Sequence, residues 1–134
     1  MDKMTASLNK AFGYQGDHMN LPVEDIDRAL PFYQDVLAFH LSSRTETPVR
    51  SAELARDAVR IRLAENGGDP TQDGCAFHVT GLDTLLAEFT SRGLTKELSD
   101  IDRENQDGVA WRVFYVVAPD GLCYWFGEQE ASSV

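Results

Sequence analysis

Cysteine is scarce in this sequence, and its scarcity excludes a disulfide-stapled fold. Cys75 and Cys123 are the only cysteines among 134 residues, too few for a framework of several bridges. Neither belongs to a C-x-x-C pair or to a cysteine–histidine spacing typical of a zinc site. Both lie in apolar runs that indicate strands. We therefore interpret them as reduced thiols in the core or in a cavity, and expect a cytoplasmic protein.

Long apolar runs and an excess of basic residues are also missing. No run approaches the roughly 18 apolar residues that a membrane span requires, and the N-terminus lacks the apolar stretch of a secretory signal. The chain has 22 acidic and 12 basic residues, a net charge of −10. We therefore expect no membrane and no nucleic-acid partner, because nucleic acid attracts basic surfaces. An acidic surface could attract a cationic ligand.

Turn-forming residues divide the chain into two similar halves. The segment ENGGDPTQDG concentrates glycine, proline, asparagine and aspartate and is the predicted linker. The length is near the usual size of one domain, so we predict a single domain over residues 17–129. Its predicted parts are an N-terminal arm at 1–16, modules at 17–64 and 75–129, the linker at 65–74 and a tail at 130–134.

Each half predicts one strand, one helix and three further strands. Asp25 is a predicted N-cap for a helix whose apolar residues continue at helical spacing to Leu37, and Pro31 predicts a kink or a displaced start. In the second half, residues 82–91 predict a helix that stops at Gly93. The predicted strands cover residues 18–23, 39–43, 51–55, 59–63, 75–80, 96–99, 111–117 and 123–128.

The two halves repeat each other at an offset of 56 residues, which indicates an internal duplication. This offset aligns Val23 with Val79, Ile26 with Leu82, Asp27 with Asp83, Leu30 with Leu86 and Tyr33 with Phe89. One helix covers only one face of a four-stranded sheet, so the other face needs different cover. The predicted fold class is therefore α+β, with two βαβββ modules forming curved mixed sheets around a cavity. An ordinary α+β domain with a solid core is the alternative.

Two segments resemble the vicinal oxygen chelate superfamily, which includes glyoxalase I, extradiol dioxygenases, fosfomycin-resistance enzymes and bleomycin-resistance proteins. They are HMNLPVEDIDRALPFYQDVLAFHL at residues 18–41 and FYVVAPDGLCYWFGE at residues 114–128. Ala38 stands where the superfamily usually has glycine. The resemblance implies paired βαβββ modules, frequently dimerised, and a cavity that commonly holds a divalent metal.

The resemblance also implies where such a metal would bind. His18 matches the first ligand position, but the other three positions fall on Arg62, Gly74 and Trp125. Glycine offers no ligand atom, indole is not a metal ligand, and arginine repels a cation. We therefore expect no metal and no other cofactor. A divalent metal at a relocated site, held by His18, His78 and a carboxylate, is the alternative.

Strand alternation predicts which side chains line the cavity. Its aromatic walls would suit an aromatic ligand by stacking, and the two arginines would pair with an anionic group on that ligand. Three alternatives stay open: a solvated face for the arginines, interior hydrogen bonds for the histidines, and strand packing for the tyrosine. The predicted ligand-binding residues are His18, Asn20, Arg60, Arg62, His78, Trp111, Tyr115 and Trp125.

Three functions follow as hypotheses. The first is a metal-independent protein that binds a small aromatic molecule, like the bleomycin-resistance branch, in a pocket shared across a homodimer. The second is a lyase, isomerase or dioxygenase with a relocated metal on His18 and His78, and Tyr115 as acid or hydrogen-bond donor. The third is an interaction module whose cavity is vestigial.

Overall fold

The structure is a computed structural model that describes residues 6–13, 18–72, 74–95, 100–119 and 121–130. After β1, the main elements follow the predicted order of one strand, one helix and three strands in each half. The strands are β1 Ser7–Gly13, β2 Leu21–Pro22, β3 His40–Thr45, β4 Ser51–Arg56, β5 Val59–Ala64, β6 Gly74–Thr80, β7 Asp102–Gln106, β8 Val109–Val117 and β9 Cys123–Gln129. The helices are α1 Ile26–Pro31, continued by a π-helical turn at Phe32–Val36, a 3₁₀ turn at Pro70–Gln72, and α2 Leu82–Ser91.

The strands form two sheets with the same internal connectivity. One sheet has four strands in the order β2-β5-β4-β3, and the other has five in the order β1-β6-β9-β8-β7. In each βαβββ module the first strand pairs in parallel with the last, and the remaining neighbours pair antiparallel. The repeated connectivity agrees with the internal duplication read from the sequence.

Helix α1 follows the sequence prediction at both ends. The side chain of Asp25 accepts hydrogen bonds from the backbone N–H groups of Asp27 (2.9 Å) and Arg28 (3.4 Å), as expected of an N-cap. Pro31 has no N–H to donate, and the chain continues as a π-helical turn in which the N–H of Leu37 donates to the carbonyl of Phe32. Neither helix of the described residues has the length and apolar character needed to cross a membrane.

A glutamate in the last strand of each module, or directly after it, binds the helix of the same module. Glu65, just after β5, accepts from the N–H of Ile26 at 2.9 Å. Glu128, in β9, accepts from the N–H groups of Gly81 (3.0 Å) and Leu82 (2.9 Å). Negative charge is favourable at a helix N-terminus, so both helices begin at a carboxylate brought in by the sheet.

Residues 7–13 are a strand and not part of an arm, which corrects the sequence prediction. β1 pairs antiparallel with β6 at the edge of the five-stranded sheet. Leu8 is fully buried, its N–H donates to Asp57 (2.9 Å), and its carbonyl accepts from Ala58 (3.2 Å). An irregularity between Leu8 and Lys10 breaks the two-residue alternation, so the sequence period of this strand is hidden.

Two other strands differ from the prediction. The predicted strand at 96–99 lies outside the described residues, and β7 at Asp102–Gln106 was missed because its residues are polar. The predicted first strand, 18–23, is a strand only at Leu21–Pro22, so His18 and Asn20 precede it in a turn.

One hydrophobic core joins both helices to one face of each sheet. The hydroxyl groups of Tyr33, in the π-helical turn, and Tyr124, in β9, are 2.5 Å apart inside it. Phe39 contacts Phe77 across the modules, with ring centroids 5.9 Å apart. By strand alternation the opposite face of each sheet points away from this core. These two open faces carry six of the eight side chains that the sequence assigned to the cavity, whereas His18 and Asn20 lie in the turn before β2.

Candidate functional site

The open face of the five-stranded sheet carries a cluster of aromatic rings, which we call the aromatic face. The ring of His78 stacks on Trp111 with centroids 4.7 Å apart, and Trp111 meets Trp125 at 5.5 Å. Phe12 of β1 meets His78 edge-on at 5.1 Å. The members of the aromatic face are Phe12, Ala76, His78, Trp111, Val113, Tyr115 and Trp125. A face of this kind offers flat apolar surface for stacking against a planar ligand.

A carboxylate is fixed at the edge of the aromatic face by three neutral donors. The hydroxyl of Tyr115 donates to Glu104 Oε2 at 2.5 Å. The indole Nε1 of Trp125 and the amide Nε2 of Gln106 both donate to Glu104 Oε1 at 3.2 Å. The hydrogen bond from Tyr115 lowers the pKa of Glu104, while burial and the neighbouring carboxylate raise the pKa of Tyr115 to about 12. Glu104 therefore stays ionised and Tyr115 stays protonated near neutral pH.

Gly127 sets the position of the Trp125 indole. Both residues lie on the same side of β9, and a Cβ at position 127 would lie less than 3.0 Å from three carbons of the indole ring. The indole can lie over residue 127 only because that residue has no side chain. Trp125 is 6% exposed as a result, with its Nε1 aimed at Glu104.

A pocket of about 200 Å³ opens on the aromatic face beside Trp125. It is lined by Phe12, Ala76, Gln106 and Trp125. Its walls come from β1, β6, β7 and β9, all in the five-stranded sheet. Because Gln106 also binds Glu104, the fixed carboxylate adjoins this pocket. The arrangement combines an apolar floor with one oriented polar group, as in small-molecule sites.

His78 is the remaining titratable ring on the aromatic face. Its pKa is lowered first by burial and then by the charge of Lys10, which lies opposite it on β1. Both effects disfavour the imidazolium, so His78 is neutral near pH 7. A neutral imidazole stacked on Trp111 extends the aromatic surface.

Four of the predicted ligand-binding residues belong to the other module. Arg60 is exposed and pairs with Glu53 at 3.2 Å, and Arg62 donates to the hydroxyl of Ser51 at 3.1 Å. His18 accepts a backbone hydrogen bond from Arg62 through its carbonyl, and Asn20 is exposed and accepts from Asn66. The structure thus brings together His78, Trp111, Tyr115 and Trp125, and leaves His18, Asn20, Arg60 and Arg62 on the four-stranded sheet or next to it.

Three of the four residues at the superfamily's metal-ligand positions, all except His18, do not fit a metal. Gly74 has no side chain, the guanidinium of Arg62 donates to Ser51, and the Trp125 indole donates to Glu104. Each of the latter two presents N–H groups and no lone pair to a cation. In the described part of the chain, no group of three or more histidine, cysteine, aspartate or glutamate side chains is arranged to hold a metal ion.

Sequence reasoning missed Phe12, Glu104 and Gln106. The signal for β7 is the Asp107-Gly108 pair, which forms a two-residue hairpin loop with positive φ at both residues (54° and 84°). An Asp-Gly hairpin before the strand at 109–117 requires a partner strand ending at residue 106, and alternation from Gln106 puts Glu104 on the same face. No comparable signal marks Phe12.

Comparison with known proteins identifies the family. A family model described as the Glyoxalase/Bleomycin resistance protein/Dioxygenase superfamily matches residues 15–126. The chain belongs to this superfamily. Lactoylglutathione lyase of Haemophilus influenzae, which is similar to this chain, is 31% identical to it over 127 residues, covering 86% of this chain and 93% of that protein.

Two solved structures share the fold of this chain. The bleomycin resistance determinant encoded on transposon Tn5 superposes with a TM-score of 0.62 at 22% identity, covering 88% of this chain and all of that chain (100%). TnmS3, an antibiotic binding protein from Streptomyces sp. CB03234, gives a TM-score of 0.58 at 17% identity, covering 83% of this chain and 92% of that one. At these identities the likeness establishes the fold and leaves the ligand open.

Proposed function

We propose that this protein is a metal-independent, cytoplasmic small-molecule-binding protein that holds an aromatic ligand against the aromatic face. The observation that carries the proposal is the ring cluster of His78, Trp111 and Trp125, beside a pocket and an oriented carboxylate. Stacking on such a face discriminates by shape and needs no metal. The bleomycin resistance determinant and TnmS3 share this fold and are named for antibiotics, which is consistent with a binding role.

The ionisation of the site favours binding over proton transfer. A general acid or base works best with a pKa near the working pH. Glu104 has a pKa pushed below its usual range and Tyr115 one raised to about 12, so both move away from neutrality. Their hydrogen bond fixes the carboxylate in place, which serves recognition.

A second copy of the chain is the proposed cover of the aromatic face. Tyr115 and Val117, neighbours on the open side of β8, are 38% and 62% exposed. Exposed apolar strand surface of this kind commonly marks an interface. We expect light scattering to give twice the chain mass of 14.9 kDa. Val117→Asp should return the protein to the single-chain mass, and a single-chain mass for the unmodified protein would refute the homodimer.

The alternative is a metal-dependent lyase, isomerase or dioxygenase with a relocated metal. The observation in its favour is the 31% identity to a lactoylglutathione lyase. In this form His18 and His78 would be ligands, although they belong to different modules. Elemental analysis of untagged protein decides: one equivalent of a transition metal supports the enzyme, and less than about a tenth rejects it.

The test of the binding proposal is a thermal-shift screen of aromatic natural products with and without EDTA. A ligand that binds the folded state raises the melting temperature according to its concentration and affinity. The proposal predicts stabilising compounds whose effect is unchanged by EDTA. Trp111→Ala should remove that effect, whereas Arg60→Ala, on the other sheet, should keep it. Stabilisation that requires added metal in every case would refute the proposal.

A further inference from the structure

We propose that Glu104 is the charge-recognition group of the site, and that the aromatic ligand therefore carries a protonated nitrogen. This inference rests on the proposed aromatic-binding function and specifies its ligand class. It replaces the expectation of an anionic ligand, which depended on Arg60 and Arg62.

The geometry leaves Glu104 with capacity for one more partner. A carboxylate oxygen has two lone pairs. Oε1 accepts from both Trp125 and Gln106, while among the described residues Oε2 accepts from Tyr115 alone. Another donor can therefore bind at Oε2, on the side of Tyr115.

The charge of Glu104 is not neutralised by the donors that hold it. Tyr115, Trp125 and Gln106 are all neutral, and the hydrogen bond from Tyr115 lowers the pKa of Glu104, which keeps the carboxylate ionised. A half-buried carboxylate gains most from a charge-assisted hydrogen bond to a cation.

The arginines that suggested an anionic ligand are already engaged elsewhere. Arg60 pairs with Glu53 and is 67% exposed, and Arg62 donates to Ser51. Both lie on β5, in the four-stranded sheet. Within one chain, the aromatic face presents the Glu104 carboxylate beside Trp125 and the Lys10 ammonium 6.0 Å from the ring centroid of Phe12, and the carboxylate is the charge held at Trp125 and Gln106, next to the pocket. The net charge of −10 acts in the same direction.

Three planar probes of one size test the inference by isothermal titration calorimetry: 9-aminoacridine, which is cationic at pH 7.5, neutral acridine, and anionic acridine-9-carboxylate. Titration in about 0.3 M NaCl screens charges beyond roughly 6 Å, so the net charge of the surface contributes little. The matched variants are Glu104→Gln, which keeps the shape of the side chain, and Glu46→Gln, which removes the same charge from an exposed residue.

The inference predicts that the unmodified protein binds 9-aminoacridine at least tenfold more tightly than the anionic probe. Glu104→Gln should weaken the affinity for 9-aminoacridine about tenfold and change the affinity for acridine less than twofold. Glu46→Gln should change neither affinity. Equal affinity for cation and anion would overturn the inference while the aromatic-binding function stands. Failure of all three probes to bind would count against the proposed function itself. The comparison of probes needs no variant, so it remains decisive if Glu104→Gln does not fold.

Discussion

Replacing Gly127 with alanine should displace the Trp125 indole and destabilise the protein. The new methyl group would lie less than 3.0 Å from three indole carbons, closer than van der Waals contact allows. Overpacking in a well-packed region typically costs 1–3 kcal/mol, and a hydrogen bond to a charged group, here Trp125 to Glu104, contributes about 1.5–3 kcal/mol. Alanine recovers roughly 0.5–1 kcal/mol because it restricts the unfolded chain. The clash and the lost hydrogen bond are alternatives, because an indole that moves away from residue 127 relieves the clash. A cost of about 2.5 kcal/mol less the gain from alanine leaves an expected net loss of about 2 kcal/mol.

A double-mutant cycle separates this clash from a general effect of alanine in β9. Urea unfolding gives the free energy for the unmodified protein, Gly127→Ala, Trp125→Ala and the double variant. Without the indole, Gly127→Ala should cost nothing or stabilise slightly, so the coupling energy should be about 2 kcal/mol. The near-ultraviolet circular dichroism of the paired indoles should change in Gly127→Ala. An equal cost of Gly127→Ala in both backgrounds would refute the assigned role of Gly127.

Three further predictions concern single residues. Ala38 has φ of 59°, where a side chain is unfavourable, so Ala38→Gly should raise the unfolding free energy by about 0.5–1 kcal/mol, and a decrease would show that the strain is absent. Glu128→Gln should lower the unfolding free energy by about 1 kcal/mol because α2 loses a charged partner at its N-terminus, while Glu46→Gln, at an exposed residue away from both helix N-termini, serves as the control. The pKa of His78 is lower in the folded state, so the unfolded chain takes up its proton first as pH falls through about 6.5. Stability should therefore fall from pH 7 towards pH 5, and His78→Gln should flatten that slope.

Much of the fold could be predicted because local signals were strong and agreed. The Asp25 cap and the helical period located α1, and the helical period and the stop at Gly93 located α2. The repeat predicted two equivalent modules. The sequence did not predict β1 or β7, for physical reasons. An irregularity hides the alternation of β1, and β7 is a polar strand whose existence is encoded in its hairpin loop.

The sequence predicted which sheet face the site residues lie on, but it did not predict how the two modules pack together. Alternation correctly assigned His78, Trp111, Tyr115 and Trp125 to one side of one sheet. Whether that side meets the arginines of the other module depends on how the modules pack. The packing is decided by long-range contacts such as Tyr33 with Tyr124, which no local pattern encodes. Glu104 was missed together with its strand.

The most direct test of the account is an NMR titration of ¹⁵N-labelled, EDTA-treated protein with a compound selected by the thermal-shift screen. The chain contains only two tryptophans, so its two indole N–H signals report on the aromatic face alone. The account predicts that the Trp111 and Trp125 indole signals shift together and saturate at the same ligand concentration, with no metal present. Unchanged indole signals, while backbone signals elsewhere shift on binding, would contradict it.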